Sequence, residues 1–128
     1  MKTTMKLLTM LMLTSVLVFA SCEKEEDPPI LATVTTADVV AYQNGTADAG
    51  GNVTDDGRAD VTVRGVCWDS NANPTTSKNK STNGTGTGAF TTVITNLAPG
   101  FTYHIRAYAT NSVGTSYGPD KEFTVPVK

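Results

Sequence analysis

From Ile30 to Val125 no stretch of the chain repeats apolar residues at the spacing of a helix face. Short runs of Thr, Val, Tyr and Ile instead alternate with clusters of Gly, Asn, Asp and Pro. They recur at the roughly 8–12-residue spacing that marks a β-sandwich or barrel. The runs expected as strands are Leu31 to Thr36, Thr46 to Thr54, Val61 to Trp68, Ala89 to Leu97, Phe101 to Thr110 and Glu122 to Val125. In the second, Ala47, Ala49, Gly51 and Val53 share one parity; in the fourth, Phe90, Thr92 and Ile94 do. Asp55-Asp56-Gly57 supplies a turn, since glycine takes the positive φ such turns require. Asn71 to Pro74 breaks the chain, Asn83 to Gly88 reads as a flexible loop, Pro99-Gly100 is a turn, and Asn111 to Gly118 is a hairpin connection.

The segment before Ile30 is of another kind. Lys2 and Lys6 precede an uncharged apolar run from Leu7 to Ala20. Those 14 residues fall short of the roughly 17–25 that span a bilayer, and their flanks are those of a secretory signal peptide. Phe19-Ala20-Ser21-Cys22 resembles the lipobox of bacterial lipoproteins. The resemblance implies cleavage after residue 21 and acylation of Cys22; Phe19 departs from the leucine commoner at that position. Several acyl chains, at about 0.8 kcal/mol per buried CH₂, hold a protein firmly without any membrane-spanning helix. Residues 22–29 then form a charged, proline-ended tether. Within it Lys24-Glu25-Glu26 is similar to the signal that sends some Gram-negative lipoproteins to the outer face of the outer membrane.

Charge and cysteine usage narrow the partners. Of ten basic and twelve acidic residues, the segment beyond the tether keeps seven and eight. That near-neutral balance lacks the basic excess that neutralises phosphates, which argues against nucleic acid. The expected partners are a membrane through the lipid anchor, and a protein or a polysaccharide. With Cys22 acylated, Cys67 has no partner for a disulfide, so the core alone must hold the domain.

Two blocks carry a family resemblance. Arg64-Gly65-Val66-Cys67-Trp68 and the segment from Leu97 through Tyr103 to Gly114 resemble the C strand and the E–F to F–G region of fibronectin type III domains. Together with Gly50 to Gly57 they look like a bacterial subfamily of secreted and lipid-anchored modules. The resemblance covers residues 30–126 and implies a fibronectin type III or immunoglobulin-like sandwich of about seven antiparallel strands. Tyr103, preceded by Leu97, matches the residue of the tyrosine corner, whose hydroxyl returns to the backbone a few residues upstream. The lone tryptophan departs from the family in lying on strand C instead of strand B, where Ala47 and Ala49 offer a thin core.

No residue set suggests catalysis, a metal or a cofactor. His104, the single histidine, shares the outward parity of Arg106 and Tyr108, opposite Tyr103 and Ile105. Asp55, Asp56 and Asp60 lack the spacing of a calcium loop, and Asn83 to Gly88 lacks the Gly-Lys-Ser/Thr ending of a phosphate loop. Cys67 reads as a small buried hydrophobe, with Arg64 on the opposite parity as the only base near it.

Two readings of strand C are open. Alternation counted from Val61 turns Gly65 and Cys67 inward and Val66 and Trp68 outward. A bulge at Gly65 would exchange the faces and bury Trp68, which the thin strand B favours. With Trp68 outward, it would join Tyr108 and Tyr117 in an aromatic strip able to stack on sugar rings or dock a partner.

Overall fold

The computed structural model describes residues 26–128. The expected signal peptide, the expected lipobox with Cys22, and Lys24 and Glu25 of the expected export signal lie outside the described residues. Nine strands follow in order: β1 (Thr33–Thr36), β2 (Val40–Ala41), β3 (Ala47–Asp55), β4 (Val63–Asp69), β5 (Asn79–Lys80), β6 (Gly88–Ile94), β7 (Thr102–Thr110), β8 (Thr115–Tyr117) and β9 (Lys121–Thr124). Among the described residues there is no helix.

All pairings are antiparallel and form two sheets. In the first, β3 lies between β6 on one edge and β1 followed by β2 on the other. In the second the order is β5-β4-β7, with β8 and then β9 along the far side of β7. The nine strands therefore make seven columns, three facing four. The excess over seven comes from two interruptions. Ala37 to Val39 divides the first column, and Gly118-Pro119-Asp120 divides the last, where Pro119 has no N–H to give the ladder.

The core lies between the sheets. Ala47, Ala49 and Val53 of β3 face Ile105, Ala107 and Ala109 of β7, with Val34, Val66, Phe90, Ile94 and Val125 filling around them. Small residues on both central strands bring the sheets close. The bulk comes from their neighbours, each large side chain contributing about 1.5–3 kcal/mol by burial.

At the E–F corner the Tyr103 hydroxyl accepts a hydrogen bond from the Ala98 N–H at 3.0 Å. Its ring stacks on Phe123, with centroids 5.7 Å apart, and Leu97 is buried beside the turn. A second tie joins the sheets where the last column breaks. The buried Thr36 hydroxyl accepts from the Ala107 N–H at 3.0 Å and donates to the Pro119 carbonyl at 2.7 Å. It thereby replaces the ladder bond that the break removes.

The parity of β4 differs from the count started at Val61. Val66 pairs with Ala107 and Trp68 with Ile105, so both turn toward the core, while Gly65 and Cys67 face away from it. No bulge at Gly65 is needed. Val61 is also buried, and the break in alternation falls before β4 begins, where Thr62 bonds the Thr110 carbonyl.

Candidate functional site

With Trp68 turned inward, as the thin strand B favours, the aromatic strip on the outer face of the four-column sheet does not form. Trp68 lies on the opposite face from Tyr108, half-buried against the core. Tyr108 does point outward by parity, across from Gly65, yet it is only 1 % exposed. The segment from Ser70 to Thr82 folds over it. Gly65 has no side chain, and a Cβ there would collide with the Ser81 carbonyl. That carbonyl comes down over the sheet and accepts the Tyr108 hydroxyl at 2.6 Å. Burial raises the Tyr108 phenol above its ordinary pKa, with Cys67 and Tyr117 adding to the effect.

Arg106 fastens the same cover. Its guanidinium donates to the Pro74 carbonyl at 2.7 and 2.9 Å and to the Asn73 carbonyl at 3.3 Å. It also lies 4.0 Å from the centroid of the Tyr117 ring, whose hydroxyl accepts from the Thr76 N–H at 3.2 Å. The third aromatic of the expected strip is therefore occupied within the protein. His104 sits at the end of this face with Nδ1 3.1 Å from Asp120 and Nε2 3.5 Å from Glu122, and Asp120 also accepts the Asn73 N–H.

Cys67 is fully buried, but beneath the cover and not between the sheets. The base beside it is Arg106, its cross-strand partner, not Arg64. Its sulfur lies 3.4 Å from the Pro74 carbonyl oxygen. Burial pushes the thiol pKa up to about 11, with Arg106 partly opposing. Because the folded value lies above the unfolded one, this thiol stabilises the fold below pH ~9 and loses that contribution as pH rises to about 11. At pH 8 a disulfide reagent should modify Cys67 only at the rate of unfolding. Fast stoichiometric labelling of folded protein would show the cover to be open.

The loop from Asn83 to Gly88 is not free either. The Arg64 guanidinium donates to the carbonyls of Asn83 at 2.9 Å, Gly86 at 3.2 Å and Thr87 at 2.9 Å, while lying 5.2 Å from the centroid of Phe90. A loop of glycines and threonines is held by this side chain reaching across the end of the core, together with backbone bonds to Val61 and Arg64. The Asp-Asp-Gly turn holds itself: the Asp55 carboxylate accepts the Gly57 N–H at 2.7 Å and the Asp56 carboxylate the Arg58 N–H at 2.9 Å.

What the molecule does expose lies elsewhere. On the three-column sheet a groove of about 530 Å³ runs between Asp38 and Val40 on one side and Thr91 and Val93 on the other, with Asp48 in its floor. Val40 and Val93 are exposed, as are Tyr42, Phe101 and Val127. The Tyr42 hydroxyl donates to Asp48 at 2.7 Å, which raises its pKa, and Lys121 pairs with Asp38 at 2.6 Å, which lowers that of the carboxyl. The signal for this region was the apolar run Val39-Val40-Ala41-Tyr42, which falls between the expected strands.

These residues share one end of the sandwich. Val40 pairs with Asp48 near the start of β3, Val93 lies at the end of β6, and Phe101 precedes β7. The chain enters at the other end, where Ile30 bonds Gly57 beside the turn after β3.

No protein-family model and no curated protein matches the chain. Solved structures do. The sixth fibronectin type III domain of human fibronectin type III domain containing protein 3 superposes with a TM-score of 0.54 at 19% identity, covering 82% of this chain and 92% of that one. A fourth fibronectin type III domain from human superposes with a TM-score of 0.57 at 16% identity, covering 83% and 86%. At these identities the likeness is one of fold: an all-β sandwich of fibronectin type III type.

Proposed function

We propose that the chain is a non-catalytic interaction or spacer module, anchored to the outer membrane through acyl groups on Cys22 and displayed at the cell surface. The lipobox from Phe19 to Cys22 and the Lys24-Glu25-Glu26 signal support the anchor and its destination. One structural observation supports the module reading above the others. The chain enters at one pole, whereas Val40, Tyr42, Val93, Phe101 and Val127 are exposed toward the opposite one. Apolar groups held away from the point of attachment are the surface a partner would meet.

A polysaccharide-binding role was the alternative. It would need a platform other than Trp68, Tyr108 and Tyr117, which are half-buried, covered and stacked under Arg106 respectively.

Mass spectrometry of protein extracted from outer membranes tests the anchor. The expected mature chain begins at Cys22 and carries acyl groups, and Cys22→Ala should move the protein to the soluble fraction. A mature terminus without lipid would overturn the reading. For the module, Val93→Glu with Phe101→Glu should abolish any co-purifying complex without altering the β-type circular dichroism.

A further inference from the structure

We propose that the pole at which the chain enters rests on the lipid surface, with Ile30, Leu31 and Val113 in contact with the bilayer. The inference rests on the acylation of Cys22 and adds an orientation to it. Ile30, Leu31 and Val113 are 52 %, 43 % and 48 % exposed, the large apolar residues left uncovered at this end.

They belong to one rigid patch. The Ile30 N–H bonds the Gly57 carbonyl at 2.8 Å, and the Ile30 carbonyl accepts the Asn111 side-chain amide, also at 2.8 Å. Asn111 is itself buried. Its amide also donates to the Asp56 carbonyl, and its oxygen accepts the N–H groups of Val113 and Gly114. The Leu31 side chain reaches Gly114: a Cβ added there would stand 3.4 Å from Leu31 Cδ2. One buried amide thus fixes the incoming segment, the turn after β3 and the turn after β7 against one another.

The length of the tether commits the patch to lipid. Arg58 donates to the Pro28 carbonyl at 2.9 and 3.2 Å, so the chain is already held at residue 28. From Cys22 to Pro28 is six residues, which reach at most ~20–22 Å when fully extended. A cysteine whose acyl chains lie in the bilayer keeps this pole within that distance of the headgroups. Contact hides three aliphatic side chains from water, and the cost of bringing them to the surface is already met by the anchor. The charged groups at the pole set the kind of surface. Glu26, Asp27, Asp55, Asp56 and Asp60 outnumber Arg58 and Arg64. That balance makes the contact weaker on a more anionic lipid face.

The test uses the mature chain, coupled through Cys22 to maleimide-bearing lipid in phosphatidylcholine vesicles. Buried Cys67 does not compete for the reagent. Hydrogen exchange at residues 30–31 and 111–114 should slow about three-fold or more on the vesicles, with residues 42–45 and 98–101 unchanged. Adding phosphatidylglycerol should reduce that protection, and Ile30→Ser with Val113→Ser should abolish it while the circular dichroism stays β-type. Equal exchange at both poles, on and off vesicles, overturns the proposal, as does protection confined to the far pole. Because the coupling is chemical, a flat result with protein found acylated in cells sinks only the docking. Protection on vesicles with protein found unacylated in cells sinks the anchor.

Discussion

Replacing Tyr108 with alanine should cost about 3–5 kcal/mol of stability, read as a shifted denaturation midpoint by circular dichroism. Domains of this size hold a total of about 5–15 kcal/mol, so the variant should be close to unfolded at 37 °C. Two losses combine. The ring leaves a cavity under the segment from Ser70 to Thr82, and the Ser81 carbonyl loses the hydroxyl that drew it onto the sheet. Tyr108→Phe keeps the ring and should cost about 1–2 kcal/mol, the price of one orphaned acceptor. The alanine variant should also expose Cys67, turning its labelling from slow to fast. A residue on an open ligand face would behave otherwise, with a change within about 0.5 kcal/mol. An unchanged midpoint for Tyr108→Ala would refute the cover.

Thr36→Val should destabilise by about 1–3 kcal/mol although the side chain keeps its shape and sits at the margin of the core. The hydroxyl acts as a relay, accepting from the Ala107 N–H and donating to the Pro119 carbonyl; valine removes both bonds, and the buried N–H has no water to take its place, whereas Pro119 is exposed. Each backbone group stranded away from water costs about 1–3 kcal/mol. Thr36→Ser retains the relay and loses one methyl, about 1 kcal/mol. Urea unfolding of the three proteins separates the cases. Near-equal midpoints for serine and valine would show that packing, not the relay, makes this residue matter.

Much of the fold was legible because its strands obey period two. Ala47, Ala49, Gly51 and Val53 read as one face and form one face, and Tyr103 stands at the corner where the resemblance put it. What failed was local and has a physical cause. Alternation fixes a face only inside a ladder, and Val61 lies just before one, so counting from it would invert β4; the inward Val66 and Trp68 that the thin strand B favoured are found, without the bulge at Gly65. Outward parity also implies exposure only when nothing crosses the sheet. Tyr108 and Tyr117 satisfied the pattern, yet the chain between Ser70 and Thr82 returns over them. The clue was Gly65, a glycine inside a strand, which signals close approach of another backbone as well as a bulge. Arg64 gave no such warning. Its capture of three carbonyls is a long-range contact that only the folded geometry creates. The groove by Val40 and Val93 escaped because β2 has two residues, too few for any periodicity to register.

The two ends of the domain leave from opposite poles, Ile30 beside Gly57 and Val125 beside Phe101. A pull between these two ends would run along the strands. In antiparallel ladders the hydrogen bonds lie across that direction, so those of β1 to β3 and β7 to β9 would be sheared together and not peeled one after another.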